Sequence, residues 1–161
     1  MQNSKKIARK FDAKVLFCYD GDTCTVQKSP LAPRIRIRLA NIDAPERARK
    51  KKKGQSYAEE SKKHIESWIH NQWVEVHVHE ADRYGRLVAD LYKKTNEKTL
   101  HINAEMIKNG HAFAYRRARS QKATNAKFAK LEKISQKEKL GMWRLSPENR
   151  PLRPEKFRKS H

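Results

Sequence analysis

Residues 34–39 read Arg-Ile-Arg-Ile-Arg-Leu, and this strict alternation limits the fold more than any other stretch of the chain. On a helix the three apolar side chains would scatter around the axis. On a β-strand Ile35, Ile37 and Leu39 share one face, and Arg34, Arg36 and Arg38 share the other. The segment is therefore a half-buried strand with a basic outer face. Residues 73–80, Trp-Val-Glu-Val-His-Val-His-Glu, alternate in the same way, with Val74, Val76 and Val78 facing inward. Residues 11–19 and 23–28 flank Asp20-Gly21-Asp22 and read as a hairpin. The turn Asp82-Arg83-Tyr84-Gly85-Arg86 leads into a fifth strand over 87–92.

Helical signals separate these strands. Ser56 and Glu59 match a capping box for a helix over about 57–70, with Ala58, Ile65, Trp68 and Ile69 as its buried stripe. Asn103 is placed to cap a short helix ending at Gly110. A last helix over about 124–140 is expected to bury Phe128, Leu131 and Ile134 and to stop at Gly141. Trp68, Trp73 and Trp143 are assigned to the core or to helix packing. The order of elements predicts an α+β fold with a mainly β core: a five-stranded OB-type barrel with three helices. An open antiparallel α+β sheet is the alternative. One domain over 11–145 then lies between a flexible basic segment, 1–10, and a proline-rich basic tail, 146–161, that wraps the surface or frays.

Lysine and arginine number 38 against 18 aspartates and glutamates, a net charge of +20. That excess points to an acidic polymer as partner, most commonly nucleic acid. No apolar run approaches the roughly 20 residues that span a bilayer, so no membrane partner is expected. The first ten residues carry charge but no hydrophobic stretch of a leader. The two cysteines, Cys18 and Cys24, lack metal-finger spacing and face each other across the hairpin. They are either buried free thiols, the simpler reading, or a cross-strand disulfide. His77 and His79 share a strand face, but a pair without a third ligand reads as a solvated face rather than a metal site.

Four pieces carry candidate chemistry: Asp20 with Asp22, Arg38, Asp43 with Glu46, and Arg86. Each lies at or near a strand end, where a barrel positions reactive groups. Phosphodiester hydrolysis needs this inventory. Arginines clamp phosphate oxygens in bidentate fashion. A hard cation held by carboxylates neutralises charge and polarises the phosphorus centre. A further carboxylate takes a proton from the attacking water. Oxygen ligands without nearby histidine or cysteine favour Ca²⁺ or Mg²⁺ over zinc.

In this order and spacing the pieces resemble the staphylococcal nuclease (thermonuclease) family. The matching stretches are DGDT at 20–23, IRLANIDAPE at 37–46, DRYGR at 82–86, INAEMIKNGHAFAY at 102–115 and KLGMW at 139–143. The closing RPLRPEKFRK also resembles tails of bacterial members. The resemblance implies an OB-fold, Ca²⁺-dependent, sequence-tolerant nuclease that cuts DNA and RNA and leaves 3′-phosphates. It implies Ca²⁺ ligation by Asp20, Asp43 and the backbone carbonyl of Ala44, with Asp22 as a further or outer ligand. Glu46 would position or deprotonate the water, and Arg38 and Arg86 would hold the phosphate and stabilise the transition state. Arg83 and Tyr84 match positions that contact a neighbouring phosphate, and Tyr115 matches a base-stacking position. Lys50 and Lys51, in the basic run that follows Glu46, are assigned to loose nucleic-acid contacts. A monomer is expected, and the resemblance favours export. Ala44 stands where the family more often has threonine, and Arg83 where it has lysine; neither change removes a group named above.

Arg38 and Asp43 are five positions apart, an odd spacing, so a regular strand would turn them to opposite faces. A shared site predicts a bulge or bend near Asn41. Two other functions are compatible with the charge: a non-catalytic nucleic-acid-binding OB module and a histone-like packaging protein. Neither has use for four clustered acids that repel phosphate.

Overall fold

The computed structural model describes residues 9–116 and 125–160. Most of the basic segment 1–10 and residue 124, the expected start of the last helix, lie outside the described residues. Strand β1 (Arg9–Asp20) pairs antiparallel with β2 (Thr23–Gln27) on one side and with β5 (Trp73–Ala81) on the other. β2 continues to β3 (Ile35–Leu39), and β5 to β6 (Leu87–Lys94). β3 then lies parallel to β6, with Ile37 opposite Leu87 and Leu39 opposite Ala89, which closes the five strands into a barrel. The protein has the α+β OB-type fold. Two short additions complete the β structure. β7 (Thr99–His101) extends β6, and β4 (Ile42–Asp43) pairs with β8 (Phe113–Ala114).

The inward phases of the alternating strands fill the barrel: Val15, Val26, Ile37, Leu39, Val76 and Leu91 are all buried. Helix α1 (Ala58–Ile69) adds Ile65 and Ile69 to this core, and α2 (Ile102–Lys108) adds Ile102, Met106 and Ile107. α3 (Ala126–Lys137) packs on α2. After two short 3₁₀ turns comes a fourth helix among the described residues, α4 (Pro154–Ser160), where only a tail was expected. Pro151 and Pro154 are buried, so residues 146–160 wrap the body as a strap. Among the described residues no helix is long and apolar enough to cross a membrane.

Four local expectations fail, the first two because a distant partner outcompetes the local one. Ser56 does not cap α1. Its hydroxyl donates to the carbonyl of Asn149 (2.8 Å), and the helix starts after Tyr57 in a left-handed conformation (φ 68°). Asn103 is not a cap either. It lies in the first turn of α2, fully buried, accepts from the Leu91 N–H (3.0 Å) and donates to the carbonyls of Ala40 and Ala89. On α3, Phe128 is buried but Ile134 is 41% exposed, because Glu132 and Ser135 face inward instead. Trp73 is 55% exposed, as its strand phase opposite Val74 requires. Trp68 and Trp143 do pack inside. Cys18 and Cys24 stand directly opposite each other as buried free thiols in contact. His77 and His79 each engage a carboxylate, Glu75 and Asp90 respectively, at 2.5 Å.

Candidate active site

The β1–β2 connection is a two-residue turn, Gly21-Asp22. Glycine is required there by space rather than by torsion. A Cβ on Gly21 would sit 2.0 Å from Ser61 Oγ and 2.9 Å from the Ala44 Cβ. The tight seat presses the turn against α1 and against the 42–46 segment. Asp22 ties these pieces together: its Oδ2 accepts the N–H of Ala44 (2.7 Å), its Oδ1 the Thr23 hydroxyl (2.9 Å), and its carbonyl the N–H of Leu39 (2.8 Å). Asp20 accepts the N–H of Asp22 (3.1 Å).

The expected irregularity after β3 is present. Asn41 adopts a left-handed backbone (φ 65°) between β3 and β4, which turns Asp43 to the side of Arg38. Arg38 Nη2 lies 3.4 Å from Asp43 Oδ1, and Nη1 lies 3.5 Å from Asp22 Oδ2 while donating to the carbonyls of Leu39 and Ile42. Glu46 is held by its backbone, whose N–H donates to Gln55 Oε1 (2.9 Å) and whose carbonyl accepts the Gln55 N–H (2.7 Å).

Two of these acids, Asp20 and Asp43, resist ionisation. Burial, then the neighbouring Asp22, raises Asp20 well above the usual carboxylate range. Burial and Asp22 likewise lift Asp43 to about 6 against the pull of Arg38 and Arg158. Asp22 is buried too, but Arg38 and its hydrogen bonds outweigh that burial and hold it low. Two buried carboxyls that resist ionisation mark a cluster short of positive charge. Among the described residues no three His, Cys, Asp or Glu side chains stand in metal-ligating geometry. Arginines take up the oxygens instead.

The remaining candidates line the same broad cleft but do not touch the acids through any direct bond. Arg86 pairs with Asp82 (Nε to Oδ2, 2.7 Å), and Asp82 also accepts the N–H groups of Tyr84 and Arg86 to fix the turn. Arg83 donates to the Tyr84 hydroxyl (2.9 Å) and lies over its ring, and Arg36 donates to the Tyr84 carbonyl. Tyr84 is 59% exposed; Tyr115 is tied through its N–H to the Asn41 carbonyl and opens to the cleft. Lys50 and Lys51 lie on the exposed rim.

Sequence reasoning missed Arg158. From α4 its Nη1 donates to Glu46 Oε1 (2.6 Å) and its Nη2 to Asp43 Oδ2 (3.2 Å). It also missed the strap's anchors: Arg153 forks onto Glu132, and Gln55 donates to the Leu152 carbonyl (2.6 Å). Only the three closely spaced prolines of the tail hinted at a fixed path.

A model of the family described as staphylococcal nuclease homologue matches residues 36–145. The chain is 33% identical over 138 residues to a micrococcal nuclease of Shigella flexneri, covering 83% of this chain and 74% of that protein. It is 30% identical over 150 residues to an uncharacterized endonuclease of Haemophilus influenzae, covering 93% and 74%. A probable endonuclease of Phaeosphaeria nodorum is 32% identical over 111 residues; there the match covers 68% of this chain and only 38% of the fungal protein. With a barrel of this type, an acidic pocket in a basic cleft and a family match across most of the barrel, the chain belongs to the staphylococcal nuclease family.

Proposed function

We propose that the protein is a Ca²⁺-dependent nuclease that hydrolyses phosphodiester bonds of DNA and RNA with little sequence preference and leaves 3′-phosphates. The observation that carries this reading is the excess of carboxylates over arginines at one end of a basic cleft. Asp20, Asp22, Asp43 and Glu46 gather there, and among the described residues Arg38 and Arg158 are the arginines bonded to them. A protein that merely binds a polyanion gains nothing from such a cluster, since like charges repel phosphate.

The donor set fits a hard divalent cation: oxygen ligands, buried, with charge to spare. Asp20, Asp22 and Asp43, with the carbonyl of Ala44, would hold it. Bound there, the ion would neutralise phosphate charge and polarise the phosphorus centre. The chain's own groups do the rest. Glu46 orients a water and accepts its proton. Arg38 presents a guanidinium fixed by two backbone carbonyls, so it meets the phosphate with little reorganisation. Arg86, rigidified by Asp82 at the start of the strand beside β3, supports the equatorial oxygens. Arg83, Tyr84, Tyr115, Lys50 and Lys51 hold flanking nucleotides.

Digestion of single-stranded DNA and of RNA with Ca²⁺, with other divalent ions and with chelator tests the reading. Cleavage that needs the cation and yields 3′-phosphate ends is expected. A protein that binds both polymers but cuts neither under any divalent ion is a binding module, and the enzymatic reading fails.

A further inference from the structure

The pairing register of β1, β2 and β3 places two successive rows of side chains on the outer face of the barrel. The row at the acids runs Asp20, Thr23, Arg38; the next runs Phe17, Thr25, Arg36. Cys18, Cys24 and Ile37, between the rows, point into the core. The register shift between Cys18 and Asp20 is what lets Tyr19 stay outward beside Asp20. As a result Phe17 and Tyr19 line the same cleft as the acids, and both are 41% exposed.

Two partly exposed aromatic side chains clustered beside the acids form a patch of the kind that marks a binding surface. The setting specifies the ligand. Arg47 and Arg49 each place a guanidinium carbon 5.6 Å from the centre of the Tyr19 ring, and Arg47 donates to the Tyr19 carbonyl (2.7 Å). Arg36 lies in the Phe17 row, and Lys50 to Lys53 continue the basic rim. An aromatic platform framed by cations suits flat uncharged rings carried on an anionic backbone. Residues two apart on a strand are roughly 6.5 Å apart, enough to separate two ligands stacked on neighbouring side chains. Bases inside a duplex have no free face to offer, whereas unpaired bases do.

The geometry points to a stacking subsite formed by Phe17 and Tyr19 for two consecutive unpaired bases next to the cleaved phosphate, with Arg36, Arg47 and Arg49 on the intervening backbone. The inference rests on the nuclease reading and adds to it the strand that carries the substrate. The test is equilibrium binding in chelator, where no cleavage occurs, using one labelled oligonucleotide as a single strand and as a duplex. Phe17→Ala and Tyr19→Ala should each weaken single-strand binding about 10-fold, as loss of one stacking platform does, and duplex binding less than about twofold. The slope of affinity against salt should not change, because no phosphate contact is removed. A single strand with two adjacent abasic positions should bind the unaltered protein as weakly as the intact strand binds the double variant. Single-strand affinity within twofold of the unaltered protein, or equal loss on the duplex, overturns the subsite. If the unaltered protein cuts DNA and these substitutions leave binding unchanged, only this inference fails. If it neither binds nor cuts, both readings fail.

Discussion

Two arginines five residues apart on the same strap make the same kind of bond in two different settings. Arg153 forks onto Glu132 with bonds of 2.9 and 2.7 Å, and Glu132 also accepts the N–H of Ala114. Both side chains are shielded, 15% and 4% exposed, and Arg153 lies over the ring of Phe113. Arg158 also bonds two carboxylate oxygens, but they belong to two residues, Glu46 and Asp43, and its side chain is 45% exposed. The first pair is closed: each acid oxygen is answered and water is kept out. The second stands in a cluster with more acids than arginines and at the mouth of a cleft. An ion pair becomes a strut when nothing else can reach it. It becomes exchangeable when the surrounding charge is unbalanced and solvent has access.

The contrast is sharpest when one acid is neutralised in the open cluster and one arginine is removed from the closed one. Glu46→Gln should lower turnover by about 10²- to 10⁴-fold, the usual contribution of a positioned base. Its stability in urea should change by less than about 1 kcal/mol, since the lost partner is half exposed. Arg153→Ala should do the reverse. It leaves the buried Glu132 carboxylate to the Ala114 N–H and to the exposed Arg116, 3.9 Å away, and unfolding in urea should show a loss of about 3 kcal/mol. Pairing that change as Glu132→Gln with Arg153→Met should recover most of it, because the amide oxygen still accepts from Ala114 and no buried charge is left alone. A Glu46→Gln protein that unfolds, or an Arg153→Ala protein as stable as its parent, would erase the distinction.

The two clusters were unequally legible in the sequence. The barrel could be read because strand periodicity is local: Arg36 and Arg38 announce their face two residues at a time. Even the break at Asn41 followed from parity between Arg38 and Asp43. Gly21 was legible as a turn glycine, but its reason, contact with Ser61 forty residues on, was not. Long-range partners account for the rest. Ser56 gives up a helix cap for a carbonyl 93 residues away, and Arg158 reaches Glu46 and Asp43 across 112 and 115 residues. Propensity rules rank only local alternatives, so they have no means of weighing these bonds.

The surplus of acid in the open cluster has a pH signature. Asp43 is raised from an ordinary 3.8 to about 6, so between these values the folded chain holds a proton that the unfolded chain releases. Folding stability contributed by this group is therefore complete below about pH 4 and is lost as pH rises through 6. In chelator, Asp43→Asn should match its parent at pH 4 and exceed it at pH 7 by about 2–3 kcal/mol in urea unfolding. A cation held by the parent's carboxylates should narrow that gap. Equal stability of the two proteins at pH 7 in chelator would mean that Arg38 and Arg158 already balance the cluster.

Arg158→Ala should have the smallest effect on the fold and separates the two arginines most directly. Its removal leaves Glu46 at the cleft mouth and the buried Asp43 still beside Arg38 (3.4 Å), so unfolding free energy should change by less than about 1 kcal/mol. The oxygens it occupied, Asp43 Oδ2 and Glu46 Oε1, belong to the groups assigned to the cation and the water. If the proposed cation binds there, an arginine that blocks them would raise the cation concentration needed for activity. The concentration of Ca²⁺ giving half-maximal cleavage should therefore fall about three- to tenfold in Arg158→Ala, an energy near 1 kcal/mol, with the rate at saturating Ca²⁺ unchanged. A lower rate at saturation would instead make Arg158 a partner of the substrate. A loss of several kcal/mol of stability would make it a second Arg153, and the strap would then be a strut along its whole length.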